Sequence, residues 1–194
     1  MPTELASFAF IITLAAVVNG LGIVRWLTGF SEYLRRRKRL SIKPYWVFVL
    51  IAGFQFLLHV LMWWSLWSVR GTGEINFLIY VYLLAGPILL YLGTSVLAPD
   101  IVDGSVDMKA HYFGARTTYS SILALLWFWA IFMSPVLRGE FAPTLPVFAM
   151  FFAAAVVQRL SGSPGVQVAV AVANWILFVC FIGLYAMRLD GASA

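Results

Sequence analysis

Long apolar runs alternate with short polar segments along the chain, and the apolar runs recur six times. They cover residues 5–27, 45–69, 76–97, 118–137, 145–160 and 166–187. A helix needs about 20 apolar residues to cross a hydrocarbon core of about 30 Å, and the fifth run is the shortest of the six. Alternating segments of about ten residues, typical of a membrane β-barrel, are absent from the sequence. The pattern therefore predicts an all-α, polytopic membrane helix bundle with about six transmembrane helices in a single domain.

The segment 28–43, which follows the first run, combines helical periodicity with strong positive charge. Aromatic and aliphatic residues recur at helical spacing, and five consecutive basic residues follow them: Arg35, Arg36, Arg37, Lys38 and Arg39. A helix with one apolar face and a basic end lies in the membrane interface, where its cations attract anionic headgroups. We expect the first span to continue into such an interfacial helix and to bind anionic lipids.

The second long polar segment, 98–117, contains the sequence Asp-Ile-Val-Asp-Gly at residues 100–104. It resembles the DxxDG opening of the CDP-alcohol phosphotransferases, six-span enzymes in which two later aspartates complete a two-metal site. Here Asp107 and Met108 replace the family's next Ala-Arg pair, and the remaining acids, Glu140 and Asp190, are predicted on the opposite side of the membrane. Two-metal catalysis needs carboxylates that converge on both ions. We therefore predict no metal site and no such activity.

The same connector also has a purely structural interpretation. Asp100 and Asp103 are residue types that favour helix N-caps. We expect them to cap a short helix, after which residues 108–116 lie in the interface before the fourth span begins at residue 118.

Composition and charge narrow the function classes. Hydrophobic residues make up 62% of the 194-residue chain and charged residues 11%, and the mean hydropathy is +0.92. This composition lacks the polar surface that a water-soluble enzyme requires. The net charge of +5 is concentrated beside hydrophobic helices, so the expected anionic partner is membrane lipid rather than nucleic acid.

The distribution of Lys and Arg predicts the orientation of the chain. Ten of the 13 lie near or after the ends of spans one, three and five, whereas Arg70, Arg138 and Arg188 lie on the other side. The positive-inside rule places the larger set in the cytoplasm. We therefore expect an integral protein of the bacterial inner membrane with both termini outside the cytoplasm.

Gln55 and His59, one helical turn apart on the second span, are the most informative polar pair. An ionisable group near the middle of a span is costly and usually faces the bundle interior or a water-filled cavity. His59 could carry protons, bind a cofactor, or bond to a quinone or another substrate. Alternatively, it is a neutral imidazole whose hydrogen bonds are satisfied by a neighbouring helix. No cofactor is identified by these residues.

Tyr80 and Tyr91 lie on one predicted face of the third span, together with Thr94 or Ser95. We expect the two tyrosines to face the site around His59. Asn174, on the sixth span, is expected to contribute to the same site or to bond across the helices.

The first span carries Asn19, Gly20 and Gly22 within four residues. Glycines allow membrane helices to approach closely, and an asparagine can bond between them. We expect these three residues to pack the first span against a neighbour. Helix packing of this kind is also the alternative to a polar cavity for the polar residues of the other spans described above.

Motifs of covalent or phosphoryl-transfer catalysis are absent from the sequence. We therefore expect a non-enzymatic channel, a transporter-like protein or a small-molecule-binding protein with a polar midplane site. The alternative is an accessory or assembly subunit of a larger energy-transducing membrane complex. An enzyme acting on lipid or isoprenoid substrates ranks third, because acidic residues are scarce near the bilayer. Short loops and a large aromatic surface also fit a homo-oligomer.

Overall fold

The structure, a computed structural model, describes residues 2–36, 41–66, 76–99 and 105–186, with side chains from residue 12 to residue 185. Six α-helices run along these segments: α1 Pro2–Arg36, α2 Trp46–Ser65, α3 Phe77–Leu97, α4 Met108–Arg138, α5 Leu145–Leu160 and α6 Pro164–Phe181. One π-helical segment, Ile182–Ala186, extends α6, and two short strands lie between helices, β1 Ser41–Lys43 and β2 Ser105–Asp107. The predicted all-α membrane bundle is confirmed.

Five of these helices are long and apolar enough to cross a membrane, and α5 is the exception. Its 16 residues give a length of about 24 Å, which is less than the hydrocarbon core of about 30 Å. Its C-terminal end nevertheless returns to the beginning of α4. The guanidinium of Arg116 donates from Nη1 to the carbonyl oxygens of Gln158, Arg159 and Ser161 at 2.8, 2.8 and 2.6 Å. Helix α5 therefore runs antiparallel to α4 and returns the chain to the same end of the bundle.

The beginning of α4 differs from the sequence prediction. The helix starts at Met108 rather than at residue 118, so the expected interfacial segment is its first turns. Asp107 is the N-cap residue, and its side chain accepts a hydrogen bond from the backbone N–H of Ala110 at 2.9 Å. No proline or cap interrupts the helix between Met108 and its last turn, which explains its continuity. The predicted capping residues Asp100 and Asp103 lie outside the described residues.

Helix α1 is continuous to Arg36, so the predicted interfacial helix is its C-terminal part. Arg35 is exposed, and its guanidinium lies 3.9 Å from the carboxylate of Glu32. The rest of the basic run, Arg37, Lys38 and Arg39, lies outside the described residues, as does the side chain of Arg36.

Strands β1 and β2 pair in parallel, with Ser41 opposite Ser105 and Lys43 opposite Asp107. The ammonium group of Lys43 lies 3.5 Å from the Asp107 carboxylate. This pairing joins the segment after α1 to the segment after α3. Together with the contact of Arg116 to the end of α5, it places the segments after α1, α3 and α5 at one end of the bundle, which we call the basic end.

Helix α2 lies at the centre of the bundle and has the largest buried share of the five candidate spans. Two tryptophans bind its backbone from opposite sides. Trp26 of α1 donates from Nε1 to the carbonyl of Ala52 at 2.9 Å, and Trp175 of α6 donates to the carbonyl of Leu50 at 3.0 Å. One side of α2 is therefore enclosed by other helices, and Gln55 and His59 are buried there, whereas Val49 and Val60 are exposed.

Candidate functional site

His59 is fully buried, and both of its ring nitrogens are hydrogen-bonded to other helices. Nδ1 lies 2.8 Å from Oδ1 of Asn19 on α1, and Nε2 lies 2.8 Å from the hydroxyl of Thr94 on α3. Asn19 also donates from Nδ2 to the backbone carbonyl of His59 at 3.1 Å. The imidazole therefore couples three helices.

Gln55, one turn before His59, extends this arrangement toward α4. Its Nε2 donates to the carbonyl of Leu90 at 3.0 Å and to the hydroxyl of Thr94 at 3.2 Å. Its Oε1 accepts from the hydroxyl of Tyr119 at 3.2 Å. Asn19, Gln55, His59, Thr94 and Tyr119 thus form one buried polar cluster from four helices, which we call the His59 network.

Two backbone carbonyls determine the direction of hydrogen bonding in the network, because a carbonyl oxygen can only accept. The amide NH₂ of Asn19 must face the carbonyl of His59, so Asn19 Oδ1 is the atom that faces His59 Nδ1. That oxygen accepts, and Nδ1 therefore carries a proton. The amide NH₂ of Gln55 likewise faces the carbonyl of Leu90.

Thr94 then determines the state of the second ring nitrogen. Its oxygen accepts from Gln55 Nε2, and its single hydrogen points to His59 Nε2 as the acceptor within reach. All bonds of the network are satisfied when His59 is the neutral imidazole with its proton on Nδ1. This geometry agrees with the interpretation of His59 as an imidazole satisfied by neighbouring helices.

Two glycines make room for the network. A Cβ atom at Gly22 of α1 would overlap the His59 ring, and one at Gly93 of α3 would lie 3.2 Å from Gln55 Nε2. Gly20, by contrast, has nothing within 4 Å of the same position. Of the residues predicted to pack α1, Asn19 and Gly22 therefore contact the network, and Gly20 does not.

The other predicted site residues lie elsewhere. Tyr80 is half-buried and Tyr91 is 37% exposed, and neither belongs to the His59 network. Asn174 is buried on α6 but lies in the wall of a small cavity next to the network rather than in it. The structure thus brings Gln55 and His59 together with Asn19, and the α3 contribution comes from Thr94.

A second polar cluster, whose members are not among the predicted site residues, lies toward the basic end. The hydroxyl of Tyr112 donates to Gln167 Oε1 at 2.5 Å and accepts from Gln158 Nε2 at 2.8 Å. Gln167 Nε2 donates to the carbonyls of Gln158 and Ser161 at 3.1 and 2.6 Å. We call Tyr112, Gln158 and Gln167 the basic-end network. All three side chains are buried.

The basic end also carries titratable groups. The backbone N–H of Ala110 is the main cause that holds the pKa of Asp107 below its ordinary value, and Lys43 adds to this effect. Burial raises the pKa of the Tyr45 hydroxyl. His111 is half-buried, and its Nε2 lies 3.1 Å from the carbonyl of Leu97. It is therefore a packing residue at this end of the bundle.

Among the described residues, no group of three or more His, Cys, Asp or Glu side chains is arranged to hold a metal ion. In the part of the chain that the structure describes, the fully buried polar side chains are amides, hydroxyls and the imidazole of His59. Comparison of the chain with protein-family models, with curated proteins and with solved structures gives no match.

Proposed function

We propose that this chain is a non-enzymatic membrane protein of the channel or transporter type, which handles a small polar molecule at the His59 network. The observation that carries the proposal is the fully buried, ionisable ring of His59, bonded to side chains of two other helices inside a membrane bundle. Ionisable residues in this position most often belong to the pathway of a substrate or proton.

The size of the network supports this role. A hydrogen bond between membrane helices adds only about 0.6 kcal/mol on average, and small apolar residues pack such helices well. Helix association alone does not require a network of five connected polar side chains on four helices. Gly22 of α1 packs against His59 and Gly93 of α3 packs against Gln55, so both side chains fit tightly between the helices.

The packing also limits the size of the molecule that the bundle can hold in this conformation. Beside the network, the space open to the centre of a water molecule is about 10 Å³, which corresponds to about one water. All bonds of the His59 network are satisfied internally. Passage of a solute past His59 therefore requires α1, α2 and α3 to move relative to one another, as expected of a transporter in a closed state.

The test is permeability of liposomes that contain the purified protein, measured as osmotic water flux, as swelling in glycerol or urea, and as proton or ammonia entry with a trapped pH-sensitive dye. His59→Leu and Gln55→Leu remove the polar groups, and Val60→Ala changes the adjacent lipid-facing residue as a matched control. Loss of two hydrogen bonds of about 1 kcal/mol each predicts a change in permeability of about tenfold or more. Wild-type permeability equal to that of protein-free liposomes for every probe would refute the proposal. So would equal permeability of folded His59→Leu and Val60→Ala.

The role as a subunit of an energy-transducing complex stays a prediction. The aliphatic and aromatic side chains that the helices expose are those that a lipid-facing surface requires, and they do not by themselves indicate a partner. Purification from native membranes with companion subunits would favour that role.

A further inference from the structure

A small cavity lies between four helices of the bundle, close to both polar networks. Its walls are formed by Leu50, Ile51, Phe54, Tyr119, Leu123, Gln158, Ala171 and Asn174, which belong to α2, α4, α5 and α6. The space open to the centre of a water molecule is about 10 Å³. A single molecule of the size of water fits this space.

Two amide side chains in the cavity wall have acceptor oxygens without a partner among the described residues. They are Gln158 Oε1 and Asn174 Oδ1. The two residues are only 1% and 5% exposed, so bulk water does not satisfy these oxygens. A buried carbonyl oxygen without a donor is destabilising, which makes a bound donor favourable here.

The orientation of the Gln158 amide follows from the bonds of the basic-end network. Gln167 Nε2 faces the backbone carbonyls of Gln158 and Ser161, so Gln167 Oε1 must accept from the Tyr112 hydroxyl. The oxygen of Tyr112 is then the acceptor for Gln158 Nε2. The atom of Gln158 that remains without a partner is therefore the acceptor oxygen, and the complementary ligand is a donor.

These requirements select a narrow class of ligand. Two amide oxygens favour a molecule with at least two donor hydrogens and oppose an anion. The size admits one or two heavy atoms at most. The walls contain no carboxylate, so a bound cation would lack a compensating charge. Water and ammonia both meet these requirements of size, charge and donor hydrogens.

The cavity also lies between the two polar networks. Tyr119, which donates to Gln55, forms one part of the wall, and Gln158, which donates to Tyr112, forms another. A molecule in the cavity would therefore lie between Gln158 of the basic-end network and Tyr119 of the His59 network.

We propose that this cavity binds one neutral hydrogen-bond donor of the size of water, held by Gln158 Oε1 and Asn174 Oδ1 between the two networks. The further claim that the protein transports this molecule rests on the proposed function and names its substrate class. As a statement about binding, the inference stands on the cavity and the two oxygens alone.

Binding is tested by solid-state NMR of the full chain in lipid bilayers, labelled with ¹⁵N at Asn and Gln. The chain has three residues of each type, so the side-chain signals are few. Magnetisation transfer from water is expected to reach the amide groups of Gln158 and Asn174. Ala171→Val fills the cavity, whereas Ala173→Val adds the same group on the exposed side of α6. Transfer should be lost in the first variant and kept in the second.

If Ala171→Val does not fold, Asn174→Leu provides a second test, because it removes one acceptor at similar volume and should weaken the transfer to Gln158. Absence of transfer to Gln158 and Asn174 in the wild-type protein overturns the inference. Transfer that is unchanged in a folded Ala171→Val protein overturns it as well.

Permeability then separates this inference from the proposed function. Osmotic water flux and ammonia entry, the latter followed with a trapped pH dye, are measured in liposomes with the wild-type, Ala171→Val and Ala173→Val proteins. A decrease of about tenfold in Ala171→Val but not in Ala173→Val is expected for the permeant species, and it identifies that species as water or ammonia. If the NMR transfer is seen but neither flux exceeds that of protein-free liposomes, the bound molecule is supported and the proposed transport is refuted.

Discussion

At the scale of single residues, backbone carbonyls orient the side chains of the buried networks. Asn19, Gln55 and Gln167 each donate from the side-chain amide to a backbone carbonyl. Because a carbonyl has no hydrogen to give, each amide can be placed in one orientation only. The positions of the protons in both networks follow from these three residues.

The sequence identifies some of these residues and not others. An ionisable group and an amide one turn apart, His59 and Gln55, stand out in an apolar span. Helical periodicity does not say which face of α3 turns inward, and there Tyr91 is exposed whereas Thr94 is buried. These residues lie only about 60° apart around the helix axis, so packing rather than spacing decides between them. Tyr119 was missed because it lies beside polar residues at the predicted edge of a span.

Gly22 is expected to be intolerant of any side chain. Gly22→Ala places a methyl group against the His59 ring, which two hydrogen bonds hold in place. Overpacking of this kind costs about 1–3 kcal/mol, so the midpoint of thermal unfolding in detergent should fall. Gly20→Ala is the control, because the added methyl meets nothing within 4 Å. Equal midpoints for the two variants would contradict the close packing of α1 on His59.

Thr94 is predicted to be the branch point of the His59 network. Thr94→Val keeps the shape but removes the hydroxyl, which leaves His59 Nε2 without its donor and Gln55 Nε2 with one acceptor fewer. Each buried group without a partner costs about 1–3 kcal/mol. Thr94→Ser keeps the hydroxyl and should remain close to wild type. The unfolding midpoints of both variants test this, and a Thr94→Val protein as stable as Thr94→Ser would exclude the proposed branching.

At the scale of elements, hydrophobic patterning predicts the long helices because a 20-residue apolar run has few alternatives in lipid. The bounds of α3 and α5 lie within one residue of the predicted runs. Strands β1 and β2 have three residues each and depend on pairing between distant segments, which no local pattern reveals. The early start of α4 likewise depends on the cap at Asp107.

Acidic pH is expected to weaken the junction between the strand pair and α4. The pKa of Asp107 is lower in the folded protein than its ordinary value of 3.8, so the unfolded chain binds more protons near that pH. The stabilisation is complete above pH 3.8 and is lost as the pH falls through the lower pKa of the folded state. The unfolding midpoint of the wild-type protein should exceed that of Asp107→Asn at pH 7, and the difference should shrink at about pH 3. A difference that does not change with pH would contradict the role of this charge.

At the scale of the whole molecule, the topology depends on whether α5 crosses the membrane. The contact of Arg116 with the end of α5 and the pairing of β1 with β2 place three connecting segments at the basic end. We predict that Ser163 faces the cytoplasm and Glu140 faces the outside. The test introduces Ser163→Cys or Glu140→Cys into Cys180→Ala and adds an impermeant thiol reagent to intact spheroplasts. Only the cysteine at position 140 should react before the membrane is permeabilised.

Reaction at both positions from the outside would mean that α5 does not separate the two loops by a membrane. The orientation itself rests on the positive-inside rule. Reaction at position 163 alone would preserve the six crossings and reverse the orientation.

The position of one proton is the sharpest test of the His59 network, because the arrangement of α1, α2 and α3 determines it. The chain has two histidines, so ¹⁵N-histidine labelling of a His111→Gln protein in lipid bilayers leaves the ring signals of His59 alone. We predict a neutral imidazole with a protonated Nδ1 and an unprotonated Nε2 that accepts from Thr94. A proton on Nε2, or rapid exchange of both nitrogens with bulk water, would contradict the buried His59 network.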